Sequence, residues 1–210
     1  ALLSNVGTLT NTGSITATNS GIAVAGTADQ VTVNTIVAGA DGVAIAGNVG
    51  RLYTTGSITA GATGLNLGGD IRTLQNNGSI AAGTDGIAIA GDIELLVTNG
   101  TITAGGRGIA IGGDADSLLS TSAITAGGTG IEIAGNVGIL SSTGSIKAIG
   151  ANTDGITIGG DAYGLDITGS VEASDLGVLV KGSANTIRVN SVSAGGNGGD
   201  GGNGGTAGQI

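Results

Sequence analysis

Residues Gly78 to Asn99 read GSIAAGTDGIAIAGDIELLVTN, and this stretch decides the fold because the chain repeats it from end to end. The first-strand isoleucines mark the repeat and stand 22 residues apart, at Ile36, Ile58, Ile80, Ile102, Ile124 and Ile146. The spacing is 21 residues from Ile15 to Ile36, 25 from Ile146 to Val171, and 21 from Val171 to Val192. A fixed period of this length is typical of solenoids and repeat arrays. The sequence therefore predicts one elongated body.

Each repeat contains three short apolar runs separated by glycine-rich turns. The first resembles Ile58-Thr59-Ala60, the second Ile87-Ala88-Ile89, and the third carries a leucine. Alternation of large and small residues is the two-residue period of a β-strand. Three strands in 22 residues, with turns too short for helices, predict an all-β parallel β-helix, or β-solenoid. We expect a right-handed coil, the default for parallel crossovers, and about nine coils that rise ~4.8 Å each.

Equivalent positions of successive repeats should stack into columns. Four columns are almost wholly aliphatic, and they begin at Ile15, Ala17, Ile22 and Val31. We expect Ile87, Ile89, Ile109 and Ile111 inside, with Ala88 and Ala110 outside. Two glycine columns flank the second strand, where the backbone needs positive φ or crowds a neighbour. At the third corner, residues such as Asn77 and Asn99 should hydrogen-bond along the axis, as side chains do in other stacked sheets.

The repeat is interrupted twice at the same corner, between the first and second strands. A three-residue insertion falls at Ile149–Asn152, and after Ala194 the corner opens into GGNGGDGGNGGTAGQI. We therefore divide the chain into β-solenoid repeats at 1–194 and a glycine-rich insertion or flexible tail at 195–210, leading to a further coil.

Composition excludes several classes of function. The chain has no Cys and no His, which removes thiolate chemistry, disulfides and the commonest general base and metal ligand. The formal net charge is −9 with only six basic residues, which argues against nucleic acid as a partner. No apolar run reaches the ~18 residues of a transmembrane segment.

The motifs GSITAG and GIAIAGD, with the Asn/Thr-Gly-Ser/Thr-Ile junctions, resemble the β-strand-repeat regions of large bacterial surface proteins. Autotransporter passengers and haemagglutinin-like adhesins are of this type, and the resemblance covers the chain to Ala194. It implies a structural segment of a secreted bacterial cell-surface protein: an adhesin stalk, matrix fibre or surface-layer element. The implied location is extracellular, and the implied segment is not an enzyme.

A column of acidic and amide residues follows the second strand. It contains Asp70, Asp92, Asp114 and Asp161, with Asn48 and Asn136 between them. Stacked carboxylates repel one another unless a cation or hydrogen bonds intervene, and calcium prefers oxygen ligands. The four aspartates are therefore calcium candidates, and calcium is the one candidate cofactor. We nevertheless expect that these residues bond the backbone of their own turns and hold no cofactor.

Other candidate sites are weaker. Gly195–Asn203 resembles a calcium-binding nonapeptide but has Gly202 where that motif needs an apolar residue. Asn77 and Asn99 begin glycosylation triplets, but the repeat consensus generates such triplets, so we interpret them as corner residues. Carboxylate pairs such as Asp92 and Glu94 suggest a polysaccharide-active enzyme, although the pair and aromatic platform of a glycosidase are missing. Rows of Ala and Thr suggest a carbohydrate- or ice-binding module, although Asn66, Glu132 and Lys147 interrupt them.

The ends of the solenoid predict its partners. An uncapped solenoid exposes unpaired strand edges, and Leu2, Leu3, Val6 and Leu9 lie at the N-terminal edge. We expect flanking repeats or copies of the chain to pair end to end, and the flat alanine faces to allow side-by-side contact. A surface polysaccharide is a further candidate partner.

Overall fold

A computed structural model describes residues 2–195 of the 210-residue chain. This part of the chain consists of 25 β-strands and contains no helix. The tail predicted at 195–210 lies outside the described residues, apart from Gly195.

The strands follow one another in repeating sets of second, third and first strand. The first four coils contain β1 (Leu2–Leu3), β2 (Val6–Thr10), β3 (Ser14–Ala17), β4 (Ile22–Val24), β5 (Ala28–Val33), β6 (Thr35–Ala38), β7 (Val43–Ile45), β8 (Val49–Thr54), β9 (Ile58–Ala60), β10 (Leu65–Leu67), β11 (Ile71–Asn76) and β12 (Ile80–Ala82). The next three contain β13 (Ile87–Ile89), β14 (Ile93–Thr98), β15 (Ile102–Ala104), β16 (Ile109–Ile111), β17 (Ala115–Ser120), β18 (Ile124–Ala126), β19 (Ile131–Ile133), β20 (Val137–Ser142) and β21 (Ile146–Ala148). The last two contain β22 (Ile156–Ile158), β23 (Ala162–Ala173), β24 (Val178–Val180) and β25 (Ala184–Ala194), where third and first strands are continuous.

All pairings join equivalent strands of successive coils and are parallel. The second strands form a nine-stranded sheet from β1 to β24, which confirms the β-solenoid with about nine coils. Third and first strands form two further ladders, joined through β23 into one 16-stranded sheet. The register follows the sequence period: Ile80 pairs with Ile58 on one side and Ile102 on the other. The right-handed sense of the coil stays a prediction.

The core is narrow and mostly aliphatic, as predicted, but it also contains one row of polar side chains that was not predicted. Ile58, Leu65 and Leu74 are buried, and the same holds for their equivalents in the interior coils. In β11 both Ile71 and Leu74 face inward, although they are three residues apart. The strand therefore bends between them and turns a corner of the coil.

The predicted inside and outside positions are confirmed with one exception. Ile87, Ile89, Ile109 and Ile111 are buried, but Ala110 is buried as well. Ala110 lines a surface depression with Arg107 and Glu132. It points outward, and its burial arises because those two long side chains lie over it.

The glycine columns follow from crowding. No described glycine has positive φ. A Cβ on Gly86 would lie 2.4 Å from Cγ2 of Ile102 and 2.6 Å from the carbonyl oxygen of Gly108. Only glycine lets the coils approach this closely at the entrance to the second strand.

Candidate functional site

The predicted calcium candidates lie at the corner between the second and third strands. Asp70, Asp92 and Asp114 are exposed, and Asp161 is half-buried. They lie in successive coils, with Asn136 between Asp114 and Asp161, and form a column along the solenoid axis at this corner.

Each of these side chains binds the backbone of the following coil. Oδ1 of Asp70 accepts a hydrogen bond from the N–H of Asp92 at 3.0 Å, and Oδ1 of Asp92 accepts one from the N–H of Asp114 at 2.8 Å. Asp114 caps the N–H of Asn136 at 2.7 Å, and Asp161 caps that of Ser183 at 2.7 Å. Our expectation that these side chains bond backbone N–H groups is confirmed, but the bonded N–H belongs to the following coil and not to the side chain's own turn.

The asparagines of the column bind in the same way. Asn48 Oδ1 accepts from the N–H of Asp70 at 3.0 Å, and Asn136 Oδ1 accepts from that of Asp161 at 2.9 Å. An oxygen acceptor is therefore what the position needs, and a charge is not required. The axial chain of such bonds is called the cap ladder below.

The glycine that precedes each member makes room for the cap ladder. A Cβ on Gly91 would lie 2.2 Å from Oδ1 of Asp70. The Gly-Asp and Gly-Asn dipeptides of the sequence thus encode the ladder: the glycine admits the oxygen of the previous coil, and the next residue supplies its N–H.

A shallow groove of about 960 Å³ runs beside the cap ladder. Its walls include Asp29, Asp116 and Glu94, together with Arg51 and Arg72. Arg72 Nε lies 3.8 Å from Glu94 Oε2, and both side chains are exposed. Among residues 2–195, no group of three or more Asp, Glu, His or Cys side chains converges to hold a metal ion. Calcium binding at Asp70, Asp92, Asp114 and Asp161 stays a prediction.

A second set of caps lies at the entrance to the second strand, and sequence analysis missed it. Asp41 Oδ1 accepts from the N–H of Thr63 at 3.1 Å, and Asp85 Oδ1 accepts from that of Arg107 at 2.8 Å. Asp154 does the same for Leu176 at 3.1 Å. The signal was present in the sequence, because these aspartates precede glycines of the first glycine column.

Arg107 ties three coils together on the outer face of the second strands. Its Nη2 lies 2.7 Å from Oδ2 of Asp85, and its Nη1 lies 3.4 Å from Oε2 of Glu132. The hydrogen bond to Asp85 raises the pKa of the guanidinium, with further contributions from the charges of both carboxylates, and this outweighs the effect of partial burial. Arg107 therefore links the coils on either side of its own through ion pairs.

A row of polar side chains lies inside the core, which the sequence analysis also missed. Thr54, Asn76, Thr98, Ser120 and Ser142 occupy consecutive coils and are buried. Thr54 Oγ1 donates to Asn76 Oδ1, and Thr98 Oγ1 donates to Ser120 Oγ at 3.0 Å. Val33 and Ile167 continue the column at its two ends. We call this row the inner polar ladder.

The residues predicted to stack at the third corner lie one position after the inner polar ladder, on the surface. Asn99 Nδ2 donates to Asn77 Oδ1 at 2.8 Å, and Thr121 Oγ1 donates to Asn99 Oδ1 at 3.2 Å. The predicted axial bonding is confirmed here. Both amides of the glycosylation triplets thus belong to a corner stack, in line with their interpretation as corner residues.

The outer faces carry mostly small side chains, and larger or charged residues interrupt the rows of Ala and Thr, as the sequence indicates. The first-strand face carries exposed hydroxyls at Ser57, Thr59, Thr101 and Thr103, but Val37 is 46% exposed in the same row as Thr59. Lys147 and Glu172 pair at 2.9 Å farther along this face. Ala81 also separates Thr59 from Thr103 in this row, so these hydroxyls do not form a continuous array.

Comparison with protein-family models, with curated proteins and with solved structures yields no match to this chain. Residues 2–195 also contain no helix long and apolar enough to cross a membrane. The architecture defines the protein as a β-solenoid repeat protein.

Proposed function

We propose that the chain is a structural segment of a secreted bacterial cell-surface protein, in which it provides length, stiffness and a repetitive contact surface. In this role the segment would belong to a stalk, a matrix fibre or a surface layer. The proposal places the protein outside the cell, and it assigns no catalytic step to the chain.

The observation that carries the proposal is the uninterrupted axial bonding. In-register parallel pairing continues from β1 to β24 and from β2 to β25. The cap ladder, the corner stack and the inner polar ladder add side-chain bonds in the same direction. Bonds aligned with one axis share an axial load, so the molecule resists extension and bending as a single rod.

Imaging of cells that produce the protein tests this role. Antibodies raised against the purified chain and coupled to gold should label fibres or a layer outside intact cells. Cells from which the gene is deleted are the control. Label confined to the interior of permeabilised cells contradicts the proposal.

A carbohydrate- or ice-binding module is the second candidate function. The exposed hydroxyls of Ser57, Thr59, Thr101 and Thr103 support it: two residues along a strand are ~6.6 Å apart, and the coils of Thr59 and Thr103, with Ala81 between them, are two steps of ~4.8 Å apart. Thermal hysteresis of the purified chain, or retention on an insoluble polysaccharide, would favour this function. A T59V/T103V variant should then lose either activity, and the absence of both activities argues against it. A polysaccharide-active enzyme is the weakest candidate, because no carboxylate pair faces an aromatic platform among the described residues.

A further inference from the structure

Two asparagines of the corner stack are each followed directly by a glycine. Asn77 precedes Gly78, and Asn99 precedes Gly100 at the equivalent place in the next coil. Both dipeptides lie between a third strand and a first strand, outside the paired strand residues. Asparagine is chemically labile, and a glycine that follows it leaves the amide nitrogen sterically open because it has no Cβ. The same reaction is therefore available at two equivalent positions whose surroundings differ.

In this reaction the backbone attacks the side chain. The amide nitrogen of the glycine loses its proton to solvent base and bonds to Cγ of the asparagine. The Cγ–Nδ2 bond breaks, Nδ2 takes up a proton and leaves as ammonia, and a succinimide ring remains. Water then adds to either ring carbonyl and opens the ring to aspartate or to isoaspartate. Water and ammonia are the only other molecules involved.

The attacking nitrogen is free at Gly78 and held at Gly100. Within residues 2–195, the N–H of Gly78 donates no hydrogen bond, whereas that of Gly100 donates to the carbonyl of Asn76 at 3.3 Å. The nitrogen must give up its proton before it attacks, and a hydrogen bond to a carbonyl oxygen stabilises the protonated form. Ring closure is therefore favoured at Gly78.

The attacked carbonyl is more strongly polarised at Asn77. Its Oδ1 accepts hydrogen bonds from Nε2 of Gln75 at 3.2 Å and from Nδ2 of Asn99 at 2.8 Å. Attack at Cγ places negative charge on this oxygen, and donors that already point at it stabilise that charge. In the described part of the chain, Oδ1 of Asn99 has one donor, the hydroxyl of Thr121 at 3.2 Å.

The leaving nitrogens also differ. Nδ2 of Asn99 is engaged in its hydrogen bond to Asn77, so its departure breaks a bond of the corner stack. Asn77 is exposed, and its oxygen, not its nitrogen, holds it in the stack. The nucleophile, the carbonyl and the leaving group all favour the reaction at Asn77 over that at Asn99.

We propose that Asn77 is a site of intramolecular deamidation, at which the amide nitrogen of Gly78 closes the succinimide ring. Gln75 and Asn99 act as the donors to the developing oxyanion. This modification goes beyond the proposed structural function and does not depend on it.

The two products affect the coil differently. Aspartate at position 77 keeps the oxygen that Gln75 and Asn99 bind, and its charge strengthens both hydrogen bonds. Isoaspartate adds a methylene to the main chain at a crowded corner, where even a Cβ on Gly78 would clash with the carbonyl oxygen of Gly56. The isoaspartate product should therefore loosen this corner, and the aspartate product should not.

Peptide mapping of the full-length protein tests the site. The protein is kept at mildly alkaline pH, in buffer and in concentrated urea, and cleavage after Glu94 separates the two asparagines. Mass spectrometry then measures the conversion of amide to carboxyl at each. In urea the two rates should be similar, because only the local sequence acts there. In buffer Asn77 should react roughly 10-fold faster than Asn99, since the extra donor and the free nucleophile each contribute a few-fold.

A pair of reciprocal variants tests the oxyanion donors. Gln75→Leu removes one donor and leaves both dipeptides intact, so in buffer the rate at Asn77 should fall roughly 2–10-fold while the rate at Asn99 stays the same. Val97 occupies the position of Gln75 in the next coil. Val97→Gln should therefore supply the missing donor and raise the rate at Asn99. The ratio of the two rates is the readout, because loss of folding would raise both towards their values in urea.

Equal rates at Asn77 and Asn99 in buffer overturn the proposal, and so does a reaction that occurs only in urea. A preference for Asn77 that persists in urea also rejects it, because the local sequence and not the fold would then be the cause. If neither variant changes the ratio of the rates in buffer, the assigned donors are wrong.

Discussion

Gly86 immediately precedes the second strand β13, at a point where its coil lies very close to the next coil. Its missing Cβ is the space that Ile102 and the backbone of Gly108 occupy. Close packing of this kind leaves no room for one more methyl group. At this scale, stability is set by contacts between residues about one repeat apart.

Gly86→Ala should destabilise the fold by ~1–3 kcal/mol, because the methyl group would overpack the contact. Gly13→Ala is the matched control, since a Cβ there meets nothing within 4 Å. That variant should gain ~0.4–1 kcal/mol through a less flexible unfolded chain. Urea unfolding followed by circular dichroism measures both, and equal midpoints would show that the crowding at Gly86 is relieved at no cost.

Ile109→Asp should lower the free energy of unfolding by several kcal/mol, because it buries a charge with no partner among aliphatic side chains. Thr103→Asp, at an exposed position one strand earlier, should change stability by ~0.5 kcal/mol or less. Thermal melts compare the two. Similar losses in both variants would contradict the inward assignment of Ile109.

Asp92 distinguishes a capping role from a metal-binding role. Asp92→Asn keeps the oxygen that binds the N–H of Asp114, so we expect unchanged or slightly higher stability as repulsion along the column falls. Asp92→Ala should lose ~0.5–1.5 kcal/mol with that hydrogen bond. Chelation of calcium should leave the melting temperature of wild type unchanged. A drop on chelation that Asp92→Asn abolishes would instead establish a calcium site.

At the scale of elements, the 22-residue period predicts most of the architecture because it specifies which residue lies above which. Ile80 stacks between Ile58 and Ile102 for this reason. The direction of polar side chains is harder to predict. Asn76 lies two residues after Leu74, so alternation places it inside, although asparagine side chains mostly lie at the surface. The capping aspartates and asparagines were expected to bond their own turns, but they bond the following coil. The repeat period and the chemistry of turns do not specify which chain segment a short side chain reaches.

The inner polar ladder yields a prediction about one strand position. Asn76 accepts from Thr54, but its Nδ2 has no hydrogen-bond partner among the described residues. Asn76→Thr should stabilise the fold by ~1 kcal/mol, because it removes a buried unsatisfied donor and keeps a hydroxyl for its neighbours. Thr98→Val should destabilise it, because Ser120 would lose its partner. Chemical unfolding of both variants checks the signs, and a loss in Asn76→Thr would show that the amide is satisfied in solution.

At the scale of the whole molecule, each coil contacts only its neighbours, so stability should be distributed as in a one-dimensional array. Amide exchange at low protein concentration should be slowest in the central strands such as β14 and fastest in β2 and β25, which are paired on one side within the described residues. Mass-resolved exchange measures this gradient. Uniform protection along the chain would show that the molecule opens only as a unit.

The insertion at Ile149–Asn152 carries a consequence for how such a molecule changes over evolutionary time. Its loop contains Asn152 at φ 55° and is fastened locally, where Thr153 Oγ1 donates to the carbonyl of Gly150 at 2.8 Å. Strand pairing on either side is unaffected. Mutation can therefore lengthen this corner by small steps while selection on the rest of the repeat stays the same. New surface loops can arise there one coil at a time, so the loops and the stacked strands are able to diverge at separate rates.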